Sequence, residues 1–158
     1  MPADDLDVDV DQATDRLLRF LSVEGVTGQE EAIAAAVTRE LEAVGVPRKT
    51  VRYDKANERI PLPTQTGNLL VTLPGTRPGP RLLFATHLDT VPLCAGAEPV
   101  QKGNRIISIS DEKTALGGDN RTGVAVLATL AAGGTGRKMP PAAIAMPGGR
   151  RDAGRRPR

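Results

Sequence analysis

The sequence predicts an α/β fold, and three observations carry that prediction. A capped amphipathic helix lies near the start, brief apolar runs of strand character follow, and a glycine-led segment then opens another helix. At 158 residues, one domain with a modest core is expected.

The elements follow in chain order. Ala13, Leu17, Phe20 and Leu21 share one helical face. "TGQE", Thr27 to Glu30, has the form of a capping box, with Thr27 bonding forward and Glu30 back. Behind it, Ile33, Val37, Leu41 and Val44 form an apolar stripe, and Gly45 followed by Pro47 ends the helix. "KTVRY" is short and β-branched, and residues 56–67 contain two prolines and read as loop. "NLLVTLPG" and "RLLFATHL" are apolar runs suited to a sheet covered by helices on both faces, the second as an inner strand. "PVQKGNRIISIS" reads as a hairpin around Gly103-Asn104. "DNRTGVAVLATLAA" is a helix beginning near Asp119. After Gly136 proline, glycine and arginine dominate, so 1–136 is read as the domain and 137–158 as a basic, mostly disordered tail.

Composition narrows the classes. The chain is 39% hydrophobic and 25% charged but only 2% aromatic, so the core must be built from Leu, Ile, Val and Ala. No apolar stretch approaches the roughly 18 residues of a membrane span, and the acidic "MPADDLDVDVDQ" lacks the pattern of a signal peptide. A single cysteine, Cys94, cannot form an internal disulfide, which fits a cytoplasmic location. The net charge of +2 hides an asymmetry: seven Lys/Arg face one acid from Arg137 onward, leaving an acidic body. The Gly-rich "GGTGRK" does not meet phosphate-loop spacing.

The chemistry concentrates in two motifs. In "RLLFATHLDTVP" the only histidine, His87, stands two residues before Asp89 at the end of an apolar run. Alternate strand residues share a face, so Asp89 can fix the tautomer of His87 and leave its other nitrogen for a metal. In "LGGDNRTGVAVL", Gly117 and Gly118 let the chain bend before Asp119, which then sits at a helix N-terminus. There an aspartate serves equally as a plain N-cap. Cys94 is read as a small buried residue, and Arg121 and Thr122 as a solvated first turn.

Taken in order, "THLDTVP" and "TALGGDNRTGVA" resemble the zinc peptidase family that includes peptidase T, carboxypeptidase G and acetylornithine deacetylase. "DEKTALGGDNRTGVA" is most similar to the peptidase T branch. "FLSVEGVTGQEEAIAAAVTRELEAVGV" and "GNLLVTLPG" are similar to that family's opening helices and first strands, and the resemblance spans about residues 10–132. It implies the N-terminal part of a zinc-peptidase catalytic domain, helices packed on a mixed sheet. It also implies a role for each motif residue: His87 binding one zinc, Asp119 bridging two, Asp89 orienting His87, and a cis peptide placing Asn120 after the bridging aspartate. In that family two zinc ions roughly 3.5–4 Å apart polarise a scissile carbonyl and lower the pKa of a shared water. Small peptides, cut at their N-terminal end, are the implied substrates.

The sequence also departs from that family. Its general-base glutamate and next ligand follow the bridging aspartate by some thirty residues, a further acid and a second histidine come later, and a lid or dimerisation domain is usual. Here no glutamate follows Glu112, no second histidine exists, and Asp152 is the only acid beyond Asp119. "MPPAAIAMPGGRR" occupies the slot of the family's glutamate-bearing strand, and the pair would fall near Arg150-Arg151. The expectation is therefore a truncated or frame-shifted metallopeptidase without its lid domain, binding zinc weakly and hydrolysing nothing by itself. The alternative is a non-catalytic binding protein whose basic tail contacts nucleic acid or acidic partners. The tail has no aromatic residue for base stacking, so nucleic acid is not expected.

Overall fold

The computed structural model describes residues 8–61, 63–110, 113–134 and 140–148. Helix α1 (Val10–Leu21) starts at Asp9, whose carboxylate accepts from the Gln12 amide at 2.9 Å. It buries Phe20 and Leu21, and also Arg16, which donates to Glu40 at 2.7 Å and Thr129 at 2.8 Å and so ties three helices together. Helix α2 (Glu31–Ala43) buries Ile33, Val37 and Leu41 completely, and Gly45, at φ +92°, supplies the left-handed residue that stops it.

The expected capping box does not form. Glu30 occupies the cap position without a side-chain cap bond and accepts instead from the Gly28 amide at 2.6 Å. Thr27 turns to Asp89 at 2.8 Å. The tertiary acceptor is a buried carboxylate, a stronger partner than a helix amide that has other options.

Four strands make one sheet in the order β1-β2-β6-β3. These are β1 (Val51–Tyr53), β2 (Leu69–Leu73), β3 (Leu82–Ala85) and β6 (Ala142–Met146). Strand β2 runs antiparallel to β1 and β6, and β3 runs parallel to β6, pairing Phe84 with Ile144. Strands β4 (Pro99–Lys102) and β5 (Arg105–Ser108) form the expected hairpin, which turns at Gly103. Helix α3 (Gly118–Gly134) precedes β6. Leu69, Val71, Ile144 and Met146 join Phe20, Ile33, Leu41 and Val124 in one apolar cluster, which makes the α/β layer cohere.

Three expectations change here. "RLLFATHL" does not run through the middle of the sheet: β3 is an edge strand, and Leu83 is 71% exposed. An apolar run reports the character of a strand and not how many neighbours it has. The inner position falls to β6, inside the segment assigned to the tail. Its alternation of buried Ala142, Ile144 and Met146 with half-buried Ala143 and Ala145 is that of a half-covered strand. The folded layer therefore does not end at 136, while 149–158 and 135–139 lie outside the described residues. Finally, the sheet is not covered on both faces among the described residues, because Leu70, Ala143 and Ala145 are only half buried and Thr72 is exposed.

Candidate metal centre

His87 lies just past β3. The Thr86 amide donates to Ala145 at 3.1 Å and the Leu88 amide to Pro147 at 3.0 Å, so this segment continues along β6 beyond the strand. The His87 side chain is 28% exposed. Its Nδ1 is 3.0 Å from the Asp89 carbonyl oxygen and 3.1 Å from Asp89 Oδ1. Neither a carbonyl nor a carboxylate can donate, so a hydrogen on Nδ1 satisfies both contacts. Nε2 is then aimed at Asp119 Oδ1, 3.0 Å away across thirty-two positions of sequence. Two electron-pair donors this close are held together by a shared proton or by a cation between them.

Asp119 is free to take part because another residue caps the helix. Asp119 (φ −89°, ψ 101°) and Asn120 (φ −125°, ψ 40°) are both non-helical, and Asn120 Oδ1 accepts from the Gly123 amide at 2.9 Å. That is the N-cap bond. The Asp119 side chain, 81% exposed, points at His87 instead. The peptide between the two residues is cis, at the position the resemblance implied. Close approach of α3 depends on Gly123, where an added Cβ would stand 2.4 Å from Asn120 Oδ1 and 2.5 Å from Thr86 Oγ1. The division of labour is measurable in urea unfolding. Asn120→Ala should cost about 1 kcal/mol, as cap losses do, and Asp119→Ala should stay within about 0.5 kcal/mol, as exposed substitutions do. Equal losses would return Asp119 to the role of a cap.

Behind the pair lies a buried polar layer of which sequence reasoning singled out Asp89 alone. Asp89 is 2% exposed and presents Oδ1 to His87 and Oδ2 to Thr27. Arg121 is also 2% exposed and not solvated as expected; it donates to the carbonyls of Leu88 and Val23. Burial pulls its pKa down to about 10, against the opposing influence of Cys94 and Asp89, so it remains a cation at neutral pH. Glu30 is fully buried, and desolvation raises its pKa although the Gly28 amide bonds to it. Cys94 is half buried in a turn beside Gly117. Only tertiary packing identifies the roles of Thr27, Glu30 and Arg121, because each has an ordinary local reading.

The donor set is smaller than a zinc ion requires. His87 and Asp119 converge, but no group of three His, Cys, Asp or Glu side chains does so among the described residues, and a catalytic zinc takes three protein ligands. The described residues therefore do not by themselves fit a held zinc. A cleft of about 580 Å³ lies elsewhere, between α2 and residues 53–67, and contains neither His87 nor Asp119.

No protein-family model matches the chain, and no curated protein matches it by sequence. Solved structures do match it. A tripeptidase from Staphylococcus aureus is 22% identical with a TM-score of 0.75, covering 89% of this chain and 37% of its own. The aminopeptidase PepT from Bacillus cereus is 24% identical with a TM-score of 0.75, covering 88% and 36%. An aminoacylhistidine dipeptidase from Vibrio alginolyticus is 20% identical with a TM-score of 0.65, covering 96% and 30%. These likenesses show the fold, an α/β layer with a mixed sheet like the N-terminal part of these peptidases' catalytic domains. The chain spans a little over a third of the length of the first two. Among the described residues no helix is long and apolar enough to cross a membrane.

Proposed function

We propose that this chain carries the first part of a metallopeptidase site, with His87 and Asp119 as two metal ligands and Asp89 as the group that orients His87. Zinc is the metal this reading favours, and small peptides cut at their N-terminal end are the substrate class. The observation that carries the reading is the 3.0 Å approach of His87 Nε2 to an Asp119 that has been released from capping. Peptidase neighbours of the same fold support it.

The chain's own residues do the positioning. Asp89 holds the hydrogen on Nδ1 and leaves Nε2 free to ligate. Asn120 and Gly123 set the start of α3, which delivers the Asp119 carboxylate to the same point. A bound metal would supply Lewis acidity. What the described chain does not supply is a carboxylate at the end of β6. The backbone beside Leu88 there is Pro147 and then Gly148, so among the described residues β6 brings no general base to the pair.

Zinc titration followed through the imidazole resonances of His87, the only histidine, tests the reading. The resonances should shift, saturate only with zinc in large excess, and respond far less in Asp119→Ala. No zinc should survive dialysis. Stoichiometric zinc retained after dialysis would contradict the two-ligand count. An equal response in the Asp119→Ala variant would remove Asp119 as a ligand.

A further inference from the structure

The loop between α1 and α2 is the wall against which the His87 segment rests. Val26 forms a parallel bridge with Thr90, the Thr27 amide donates to the Thr90 carbonyl at 3.0 Å, and the Thr90 amide donates to Gly25 at 2.9 Å. Arg121 clamps the same two stretches through the carbonyls of Val23 and Leu88. The loop therefore delivers the Thr27 hydroxyl to Asp89 from a fixed backbone.

We propose that Thr27 is a positioning residue of the candidate metal centre, its hydroxyl locking the Asp89 carboxylate that in turn sets the tautomer of His87. The inference rests on the reading of His87 as a ligand, and it adds a residue which that reading does not contain. A hydroxyl has one hydrogen. Thr27 Oγ1 lies 2.8 Å from Asp89 Oδ2 and 3.4 Å from the Thr90 carbonyl, so the hydrogen goes to the nearer, charged acceptor. The terminal torsion of an aspartate is broad and roughly twofold, so the plane of the Asp89 carboxylate is set by its partners. Asp89 is 2% exposed, and no bulk water stands by to replace a lost donor. With Thr27 on Oδ2, the other oxygen is held on Nδ1 at 3.1 Å, where it adds a charged acceptor to the Asp89 carbonyl oxygen at 3.0 Å. The competing acceptor, Asp119 at Nε2, is 81% exposed and correspondingly weak.

The single histidine makes the test direct. Long-range proton–nitrogen-15 correlations of the metal-free 158-residue protein, taken where the imidazole is neutral, give the ratio of Nε2–H to Nδ1–H forms. The wild type should be mainly Nδ1–H. Thr27→Val, which removes only the hydroxyl, should raise the ratio by about threefold or more, and Thr27→Ser should restore it. If valine is not accommodated and amide dispersion is lost, Thr27→Ala carries the same expectation. Asp89→Asn serves as the control for the partner. A shift in Asp89→Asn with none in Thr27→Val overturns the role of Thr27 and leaves the Asp89–His87 pairing standing. Equal shifts in the valine and serine variants would mark Thr27 as packing alone and overturn the proposal. No shift in any variant overturns both the proposal and the orienting role of Asp89. Because no metal is present, none of these outcomes depends on the zinc titration.

Discussion

Arg121→Ala should lower the stability of the chain by about 3 kcal/mol, a large share of the 5–15 kcal/mol typical of a folded domain. The guanidinium is 2% exposed and its partners, the carbonyls of Leu88 and Val23, belong to segments far apart in sequence. Removing the side chain leaves two carbonyls without their charged donor, each loss worth about 1–3 kcal/mol, and adds an empty volume. Desolvation of the cation works in the other direction. That burial cost is already visible in the pKa of about 10, and it keeps the net effect below the sum of the two bonds. Lysine should not rescue the variant, because one compact ammonium cannot reproduce a planar fork. Packing is tight as well: a Cβ on Gly25 would stand 2.7 Å from Arg121 Nη2. Urea unfolding with unchanged slope measures the loss. A cost under about 1 kcal/mol would show that the clamp between the α1–α2 loop and the His87 segment is not a main support of the site.

The sequence made much of the layer legible, because local chemistry and tertiary structure agree there. The stripe Ile33, Val37 and Leu41 is buried, Gly45 stops α2 in the left-handed conformation, and Gly103 turns the hairpin. Other parts were hidden for physical reasons. Thr27 and Glu30 have the spacing of a capping box, yet the stronger acceptor for Thr27 is a carboxylate sixty-two positions away. Arg121 sits one residue into a helix, where solvation is the ordinary outcome, but the Leu88 and Val23 carbonyls converge on it. Strand β6 is five residues of small and apolar type set among prolines, glycines and arginines, and composition averaged over the tail concealed it. The pairing of His87 with Asp119 was legible only by resemblance, since either residue alone has an ordinary reading. The structure adds the discriminating detail that Asn120 takes the cap.

The reading proposed above is that His87 and Asp119 are ligands of a metallopeptidase site to which the described residues bring two metal donors. Hydrolysis by a metal-held water needs a general base within hydrogen-bond reach of that water, and a catalytic zinc takes three protein ligands. Two candidate ligands converge among the described residues, and the backbone at the end of β6 offers Pro147 and Gly148. Loss of a general base alone typically costs about 10²–10⁴-fold, and loss of held metal comes on top. The most direct measurement is a tripeptide assay with added zinc on two forms: the 158-residue chain, and a version that keeps β6 and continues after Gly148 in the alternative reading frame, where glutamates are expected. Silence is expected from the first form, and from the second a turnover that Asp119→Ala lowers by about 10² or more. Turnover by the 158-residue chain that disappears with Asp119→Ala, or equal silence from both forms, would contradict that reading.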